Sequence, residues 1–231
     1  MLPLVFLPGM MCDGRLFGPQ IDALWPRVPI ICAPVGLHDS MQALAAEVLA
    51  YAPPRFALAG LSMGGILAME LVRQAPGRVD RLALLDTNPL AELPEVQARR
   101  QPQIDRVLAG DLDGVMAGDM IPNYFAAGAD SAALADLCLA MARDLGPDVF
   151  ANQSRALRDR PDQTATLRGY GGPTLVLCGE EDRLCPVERH QLMHDLIPGS
   201  RLEILPGAGH LPTLEQPLAV NAALSAWLDM A

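Results

Sequence analysis

The chain has 231 residues, which suits one compact domain with an insertion better than two independent domains. Of these residues 51% are hydrophobic and 19% are charged, so a large buried core is expected and extensive disorder is excluded. All 17 basic residues are arginines, and without lysine a Schiff-base mechanism, a P-loop and a Ser-Lys dyad are excluded. The formal net charge of −10, with no basic run, argues against nucleic acid or an anionic membrane surface as a partner.

The cysteines and the N-terminal segment indicate where the protein is found. Five cysteines, an odd number with no Cys-x-x-Cys pair, predict free thiols rather than a disulfide framework or a zinc site. The first residues lack the charged region and the long apolar run of a signal peptide, and no segment is long enough to span a bilayer. We therefore expect a cytoplasmic protein with no membrane partner.

Short apolar runs alternate with stretches of helical period in the first part of the chain, which predicts a parallel sheet covered by helices on both faces. Strands are predicted at 3–7, 28–33, 56–61 and 81–85, and helices at 15–24, 40–51 and 63–74. Pro29 places the second strand at an edge of the sheet, because proline cannot donate a ladder hydrogen bond.

The alternation stops after the fourth strand and resumes about 80 residues later. Helices alone are predicted in between, at 95–108, 112–120, 131–144 and 149–158. Strands at 174–178 and 201–205 and helices at 186–196 and 218–228 then follow. The sequence therefore predicts an α/β core formed by residues 1–88 and 169–231, with a helical cap inserted at 89–168.

The segment 60–64, Gly-Leu-Ser-Met-Gly, has the Gly-x-Ser-x-Gly spacing of a serine nucleophile. Ser62 follows a predicted buried strand and begins a predicted helix, which is the context that this motif requires. Gly60, Gly64 and Gly65 would prevent clashes in the sharp turn, and the helix N-terminus would favour developing negative charge. A plain serine N-cap needs no flanking glycines, so we predict a nucleophile.

The base that activates Ser62 must be one of four histidines, His38, His190, His194 and His210. His190 and His194 lie four residues apart without the Glu of an HExxH motif, and we expect them on a solvated helix face. His38 lies in a loop after the second strand, where it could approach the mouth of the site. His210 lies in a glycine-rich loop after the last strand, whose flexible residues would let the imidazole reach Ser62. We predict His210 as the base.

Two aspartates that follow strands could orient the imidazole. Asp182 precedes the strand that leads to His210, and gives the chain order Ser, Asp, His typical of this kind of sheet. Asp86 ends the fourth strand and is held as the reserve acid. For the oxyanion hole, the backbone N–H groups of Met63 and of Met10, in the loop after the first strand, are the predicted donors.

With these residues assigned, the chain resembles the α/β-hydrolase superfamily along essentially its full length. The stretches that carry the resemblance are 6–9, 58–65, 84–87, 179–186 and 207–217. The resemblance implies catalytic Ser62, Asp182 and His210 and a helical cap. Members usually begin with an antiparallel strand pair that this chain lacks, so we expect about six mostly parallel strands.

The predicted function is that of a serine hydrolase that cleaves a small or medium carboxylic ester through an acyl-enzyme and requires no metal or cofactor. A lactone or a thioester is left open as the form of the ester. An acyltransferase, a perhydrolase or a C–C hydrolase could use the same triad, and a ligand-binding receptor with little turnover could keep the fold.

The substrate depends on the cap, which the sequence describes only in part. An apolar acyl pocket is suggested by Met10, Met11 and Met63, and by Met116, Met120, Ile121, Tyr124 and Phe125 in the cap. Core packing is the alternative for Met11, and it explains the cap residues nearly as well. No arginine can be assigned to the pocket from the sequence, and the oligomeric state is not predicted.

Overall fold

The computed structural model describes residues 2–128 and 131–230. Its strands are β1 (Leu4–Leu7), β2 (Ile30–Cys32), β3 (Phe56–Leu61), β4 (Val79–Leu85), β5 (Thr174–Gly179) and β6 (Arg201–Leu205). They form a six-stranded sheet in the order β2-β1-β3-β4-β5-β6, in which every neighbouring pair is parallel. The predicted fold class and strand number are confirmed.

The helices lie between and after these strands. They are α1 (Gly18–Leu24), α2 (Met41–Tyr51), α3 (Met63–Gln74), α4 (Pro94–Leu108), α5 (Leu112–Val115), α6 (Ala132–Leu145), α7 (Pro147–Arg158), α8 (Thr164–Arg168), α9 (Val187–Leu196), α10 (Pro212–Glu215) and α11 (Pro217–Leu228). Helix α1 packs against α11, while α2, α3, α8 and α9 form a continuous row of packed neighbours. No helix among the described residues is long and apolar enough to cross a bilayer.

Burial along the strands explains why the apolar runs predict them so well. Every residue of β1, β3 and β5 is buried, as expected for strands with helices on both faces. The edge strands β2 and β6 are only partly buried. Strand β2, which follows Pro29, is the first strand in the sheet order, so the prediction of an edge position for this strand is confirmed.

The described residues between β4 and β5 form helices and no strand. Helix α4 packs against α7, and the Gln163 N–H donates to the Pro89 carbonyl at 2.8 Å, which brings the two ends of the segment together. The division into a core of residues 1–88 and 169–231 and a cap at residues 89–168 stays a prediction. We refer to residues 89–168 as the insertion.

The structure differs from the predicted elements in three places. The first predicted helix is a 3₁₀ turn over Gly14–Phe17 followed by α1, since the Asp13 carboxylate accepts from the Arg15 N–H at 2.9 Å. The segment predicted at 112–120 has one α-helical turn and then a π-helix over Met116–Met120. A 3₁₀ turn and the short helices α8 and α10 were not predicted, because so few residues carry no periodicity.

Backbone strain is concentrated at the carboxyl ends of the central strands. Met11, Ser62 and Asp86 are the described non-glycine residues with positive φ, at 55°, 54° and 44°. They follow β1, β3 and β4, which are adjacent in the sheet. Because such conformations cost about 1–3 kcal/mol each and cluster at functional sites, this edge is where the site is expected.

Candidate active site

Ser62 occupies a strained turn between β3 and α3. Its φ of 54° and ψ of −116° leave it outside the helix that it begins. A Cβ atom at Gly60 would overlap the Gly64 carbonyl, and one at Gly64 would overlap the Leu7 carbonyl, so only glycine fits at either position. These close approaches are the physical reason for the Gly-x-Ser-x-Gly spacing in this chain.

Thr87 holds the turn from the neighbouring strand. Its Oγ1 donates to the Ser62 carbonyl at 2.7 Å, and the Ser62 N–H donates to the Leu85 carbonyl at 2.9 Å. A Cβ atom at Gly65 would lie 2.6 Å from the Thr87 Cβ, which explains the third glycine. The strained serine is therefore fixed by β4 as well as by its own strand.

The three residues predicted as a triad lie together at the carboxyl edge of the sheet. The Nε2 atom of His210 is 2.9 Å from the Ser62 Oγ, and its Nδ1 atom is 2.8 Å from the Asp182 Oδ2. The other oxygen of Asp182 accepts the N–H groups of Leu184 and Cys185 at 2.8 and 3.0 Å. Asp182 and His210 are both buried, so the hydrogen bond between them is shielded from solvent, while Ser62 is partly buried and lines a cavity.

Asp86, the reserve acid, lies behind Asp182 and makes no hydrogen bond to His210 among the described residues. It is fully buried; its Oδ1 accepts the Gly179 N–H at 2.9 Å, and its Oδ2 has no partner within the described part of the chain. Burial and the nearby Asp182 raise the pKa of Asp86 well above its usual value. Burial alone would also raise the pKa of Asp182, but the His210 imidazole and two backbone N–H groups lower it overall.

The loop that carries His210 is held tightly. The Glu215 carboxylate accepts the N–H groups of Gly209, Leu211 and Ala126 at 2.9–3.1 Å. The His210 N–H donates to the Tyr124 carbonyl at 2.8 Å. A Cβ atom at Gly209 would lie 2.6 Å from the Ala126 nitrogen. Glycine is therefore needed for close packing, and not for the flexibility that we expected.

The other histidines are placed differently from the sequence prediction. His190 is fully buried, and its Nε2 accepts the Thr87 N–H at 3.0 Å, so the prediction of a solvated helix face is wrong for this residue. Burial lowers the pKa of His190 to about 4, which keeps it neutral. His194 bonds the Ser200 hydroxyl at 2.8 Å. His38 lies 3.7 Å from Glu47 and does not line the cavity beside Ser62.

The two predicted oxyanion donors come from different segments of the chain. Met63 is the first residue of α3, and Met10 lies in the loop after β1. Within residues 2–128 and 131–230, neither backbone N–H donates a hydrogen bond. The Met11 N–H is occupied, since it donates to the Gln153 Oε1 at 2.8 Å. Gln153 also donates to the Val35 carbonyl at 2.8 Å, so a side chain from the insertion fixes this loop.

A cavity of about 570 Å³ opens over Ser62, between the sheet edge and the insertion. Met10, Met120 and Tyr124 line it, as expected for an apolar pocket. Met11 and Met63 are fully buried away from it, and Met116 is buried in the core, so these three do not line the pocket. For Met11 and Met116 the structure has the core packing that the sequence left open as the alternative. The predicted Ile121 and Phe125 line a second, smaller cavity.

Five arginines also line the main cavity, which the sequence could not indicate. They are Arg99, Arg100, Arg160, Arg183 and Arg189. Three come from the insertion and two from the segment after β5, so they meet only through tertiary packing. The wall is therefore both apolar and positively charged.

Among the described residues, the one group of side chains close enough to hold a metal ion is Asp182, Cys185 and His210. Two of these, Asp182 and His210, are already hydrogen-bonded to each other at 2.8 Å. Burial raises the pKa of the Cys185 thiol well above its usual value, which disfavours the thiolate that binds metals. The cluster is explained by the hydrogen-bonded triad. All five cysteines are free thiols, and Cys32 is only partly buried.

The parallel sheet, the serine turn and the late histidine define one class of protein. The chain belongs to the alpha/beta hydrolase family, whose family model matches residues 4–223. Among solved structures, it superimposes with a TM-score of 0.90 on a malate-bound thermophilic esterase from Thermogutta terrifontis. That esterase is 27% identical, and the match covers 99% of this chain and 89% of that chain.

Curated relatives have several activities. The chain is 35% identical to a polyketide synthase, ThaQ, of Burkholderia thailandensis, over 97% of this chain and 12% of that protein. It is 26% identical to a pimeloyl-[acyl-carrier protein] methyl ester esterase of Xanthomonas axonopodis pv. citri, over 96% of this chain and 92% of that protein. The chain spans 36% and 65% of two further relatives. Its esterase-type relatives support a hydrolase.

Proposed function

We propose that this protein is a serine hydrolase that cleaves small or medium carboxylic esters through a covalent acyl-enzyme. The observation that carries the proposal is the chain of hydrogen bonds from Ser62 through His210 to Asp182. Ser62, at one end of this chain, lines a cavity of about 570 Å³. A pocket of this size is typical of small-molecule sites. The esterase relatives support the same reaction class.

In the first half-reaction the Ser62 oxygen attacks the ester carbonyl while the His210 Nε2 takes the hydroxyl proton. The Asp182 carboxylate accepts the Nδ1–H bond, which fixes the tautomer and stabilises the imidazolium that forms. The backbone N–H groups of Met63 and Met10 stabilise the negative charge on the tetrahedral oxygen. His210 then returns its proton to the leaving alcohol, and the C–O bond breaks.

In the second half-reaction a water molecule gives a proton to His210 and attacks the acyl-Ser62 carbonyl. Collapse of the second tetrahedral intermediate returns that proton to the Ser62 oxygen and releases the carboxylic acid. Lactones and thioesters pass through the same intermediates. An alcohol, an amine or peroxide in place of water would give an acyltransferase or a perhydrolase, and a C–C hydrolase remains the further alternative.

Ser62→Ala tests the proposal. We expect turnover of p-nitrophenyl butanoate to fall by at least 10³-fold, while circular dichroism and the unfolding temperature stay close to those of the wild type. A fluorophosphonate probe should label the wild type at Ser62, as mapped by peptide mass spectrometry. Esterase activity retained in Ser62→Ala, or a label on another residue, would overturn the mechanism.

The acceptor is tested separately. Product ratios from the same ester in water and in water with methanol or a thiol distinguish hydrolysis from acyl transfer. We expect the free acid as the main product. A transfer product that dominates at low acceptor concentration would make the protein an acyltransferase that uses the same residues.

A further inference from the structure

The cavity beside Ser62 has a charge opposite to that of the whole chain. The chain has a formal net charge of −10, yet five of its 17 arginines line this cavity. Among the described residues, the carboxylates that line it are those of Glu92 and Asp119. Asp119 is already paired outside the cavity, since Arg106 Nη1 donates to it at 2.9 Å. The cavity wall therefore carries an excess of positive charge.

The buried part of this wall is built around one carboxylate. Glu92 accepts hydrogen bonds from the guanidiniums of both Arg100 and Arg160, with its Oε1 2.7 Å from Arg100 Nη2 and 2.6 Å from Arg160 Nη1. The side chains of Arg100, Arg160 and Glu92 are only 11%, 9% and 3% exposed. One carboxylate neutralises one guanidinium, so the cluster keeps one positive charge in a poorly solvated place.

The cluster lies close to the reacting atoms. Arg100 Nη1 is 3.7 Å from the Sδ atom of Met10, whose backbone N–H is a proposed oxyanion donor. The preceding residue, Gly9, lies directly against Ser62, because a Cβ atom built on Gly9 would be 3.6 Å from the Ser62 Cβ. Ser62 and Arg100 line the same cavity, with Gly9 and Met10 between them along its wall.

Arg189 adds a further positive charge to the cavity wall. Arg189 lines the same cavity, and no salt bridge within residues 2–128 and 131–230 involves it. A guanidinium presents a planar fork of donors that matches the oxygens of a carboxylate or a phosphate. An apolar wall of Met120 and Tyr124 next to the arginines suits a short chain that ends in such a group.

We propose that the cavity selects esters that carry a second, anionic group, a carboxylate or a phosphate, which Arg100 and Arg160 bind. This inference rests on the proposed hydrolase function and adds the substrate class to it. The excess charge of the cluster is neutralised when the substrate binds, so the anionic ester is preferred over a neutral ester of the same shape.

The experiment compares matched substrates. Monomethyl adipate is compared with its carboxamide analogue, which has the same length and no charge. For the phosphate, methyl 5-(phosphonooxy)pentanoate, which carries its anion on the acyl chain as monomethyl adipate does, is compared with its neutral dimethyl phosphate ester. We expect kcat/KM to favour one anionic member by about tenfold or more, the size typical of hydrogen bonds to charged groups. The pair that gives the larger ratio identifies carboxylate or phosphate.

Three variants assign the effect to the cluster. In Arg100→Gln and Arg160→Gln the anionic-to-neutral ratio of kcat/KM should fall about tenfold. Arg143→Gln, at an exposed arginine paired with Asp113 outside the cavity, should keep the wild-type ratio. The ratio is used because a general loss of fold or activity lowers both substrates equally. Ratios near one in the wild type, or unchanged ratios in both cluster variants, would overturn the inference.

A binding measurement separates this inference from the proposed function. Titration calorimetry of wild type with adipate, adipamide and inorganic phosphate requires no turnover. Tighter binding of adipate or phosphate, weakened about tenfold in Arg160→Gln, supports the anion site even if no ester is cleaved. Ester hydrolysis that depends on Ser62 without any preference for anions leaves the hydrolase proposal intact and refutes the anion site. If Arg160→Gln does not fold, Arg100→Gln supplies the same test.

Discussion

Asp86→Asn should stabilise the protein increasingly as the pH rises from 5 to 8. Asp86 is fully buried next to Asp182, and both burial and the neighbouring carboxylate raise its pKa well above the unfolded value of about 3.9. Asparagine has the shape of a protonated aspartate, so it keeps an oxygen for the Gly179 N–H. Its amide can also donate where the Asp86 Oδ2 has no partner among the described residues.

The sign and size of the effect follow from proton linkage. Between the unfolded pKa of about 3.9 and the raised folded pKa, the unfolded chain releases the Asp86 proton while the folded chain keeps it. The favourable contribution of the protonated group is complete below the unfolded pKa and is lost as the pH rises towards the folded pKa. Within that window the free energy of unfolding of the wild type falls by about 1.4 kcal/mol per pH unit relative to Asp86→Asn.

Urea unfolding followed by circular dichroism at half-unit steps from pH 5 to 8 measures this difference. Asp113→Asn is the control, since Arg143 lowers the pKa of Asp113. The contribution of a group with a lowered pKa is present above the unfolded pKa of about 3.9, so it stays constant from pH 5 to 8. The difference in free energy of unfolding between Asp113→Asn and the wild type should not change with pH. A flat or falling difference for Asp86→Asn would refute a protonated Asp86.

Activity distinguishes the two acids in the same variants. Asp182→Asn should lower kcat by about 10³–10⁴-fold, because the His210 tautomer is no longer fixed. Asp86→Asn should retain most of the activity, since the bond from His210 to Asp182 is intact. The opposite pattern would make Asp86 the triad acid.

Two further predictions concern the backbone that positions the triad. Gly64→Ala should unfold at a temperature several degrees lower than the wild type, because its Cβ would overlap the Leu7 carbonyl. Such overpacking costs about 1–3 kcal/mol or more. Gly18→Ala is the control and should keep the wild-type unfolding temperature, since nothing lies within 4 Å of a Cβ atom there. Glu215→Gln should lower kcat about tenfold with little change in KM, because one amide oxygen cannot accept all the N–H groups that hold the His210 loop. Unchanged kcat in Glu215→Gln would show that the loop is held by other contacts.

The sequence predicted those parts of the fold and candidate site that depend on neighbouring residues. Buried strands appear as short apolar runs, and the Ser62 turn has its own spacing between a strand and a helix. The His210 loop follows the last strand, so chain order alone places it at the same edge as Ser62. Each of these features depends on residues that are close together in the sequence, so the sequence alone was enough to predict the strands, the Ser62 turn and the His210 loop.

What could not be predicted depends on packing between distant segments. His190 has a polar sequence environment, and only the packing of α9 on β5 buries it against Thr87. Gln153 lies in an amphipathic helix with no signal that distinguishes it, yet it bonds the loop after β1. Arg100 and Arg160 are 60 residues apart and meet only at Glu92. No local pattern encodes such contacts.

The proposed charge states on the two sides of Ser62 depend on each other. Behind His210, two buried carboxyl groups share one negative charge if Asp86 stays protonated. A second ionised carboxylate there would repel the oxyanion that forms at Ser62 and any anionic group of the substrate. In front of Ser62, the Arg100 and Arg160 cluster keeps one positive charge after pairing with Glu92. Both arrangements would favour negative charge on the substrate side, which is how the proposed mechanism lets an acidic protein bind an anion at this site.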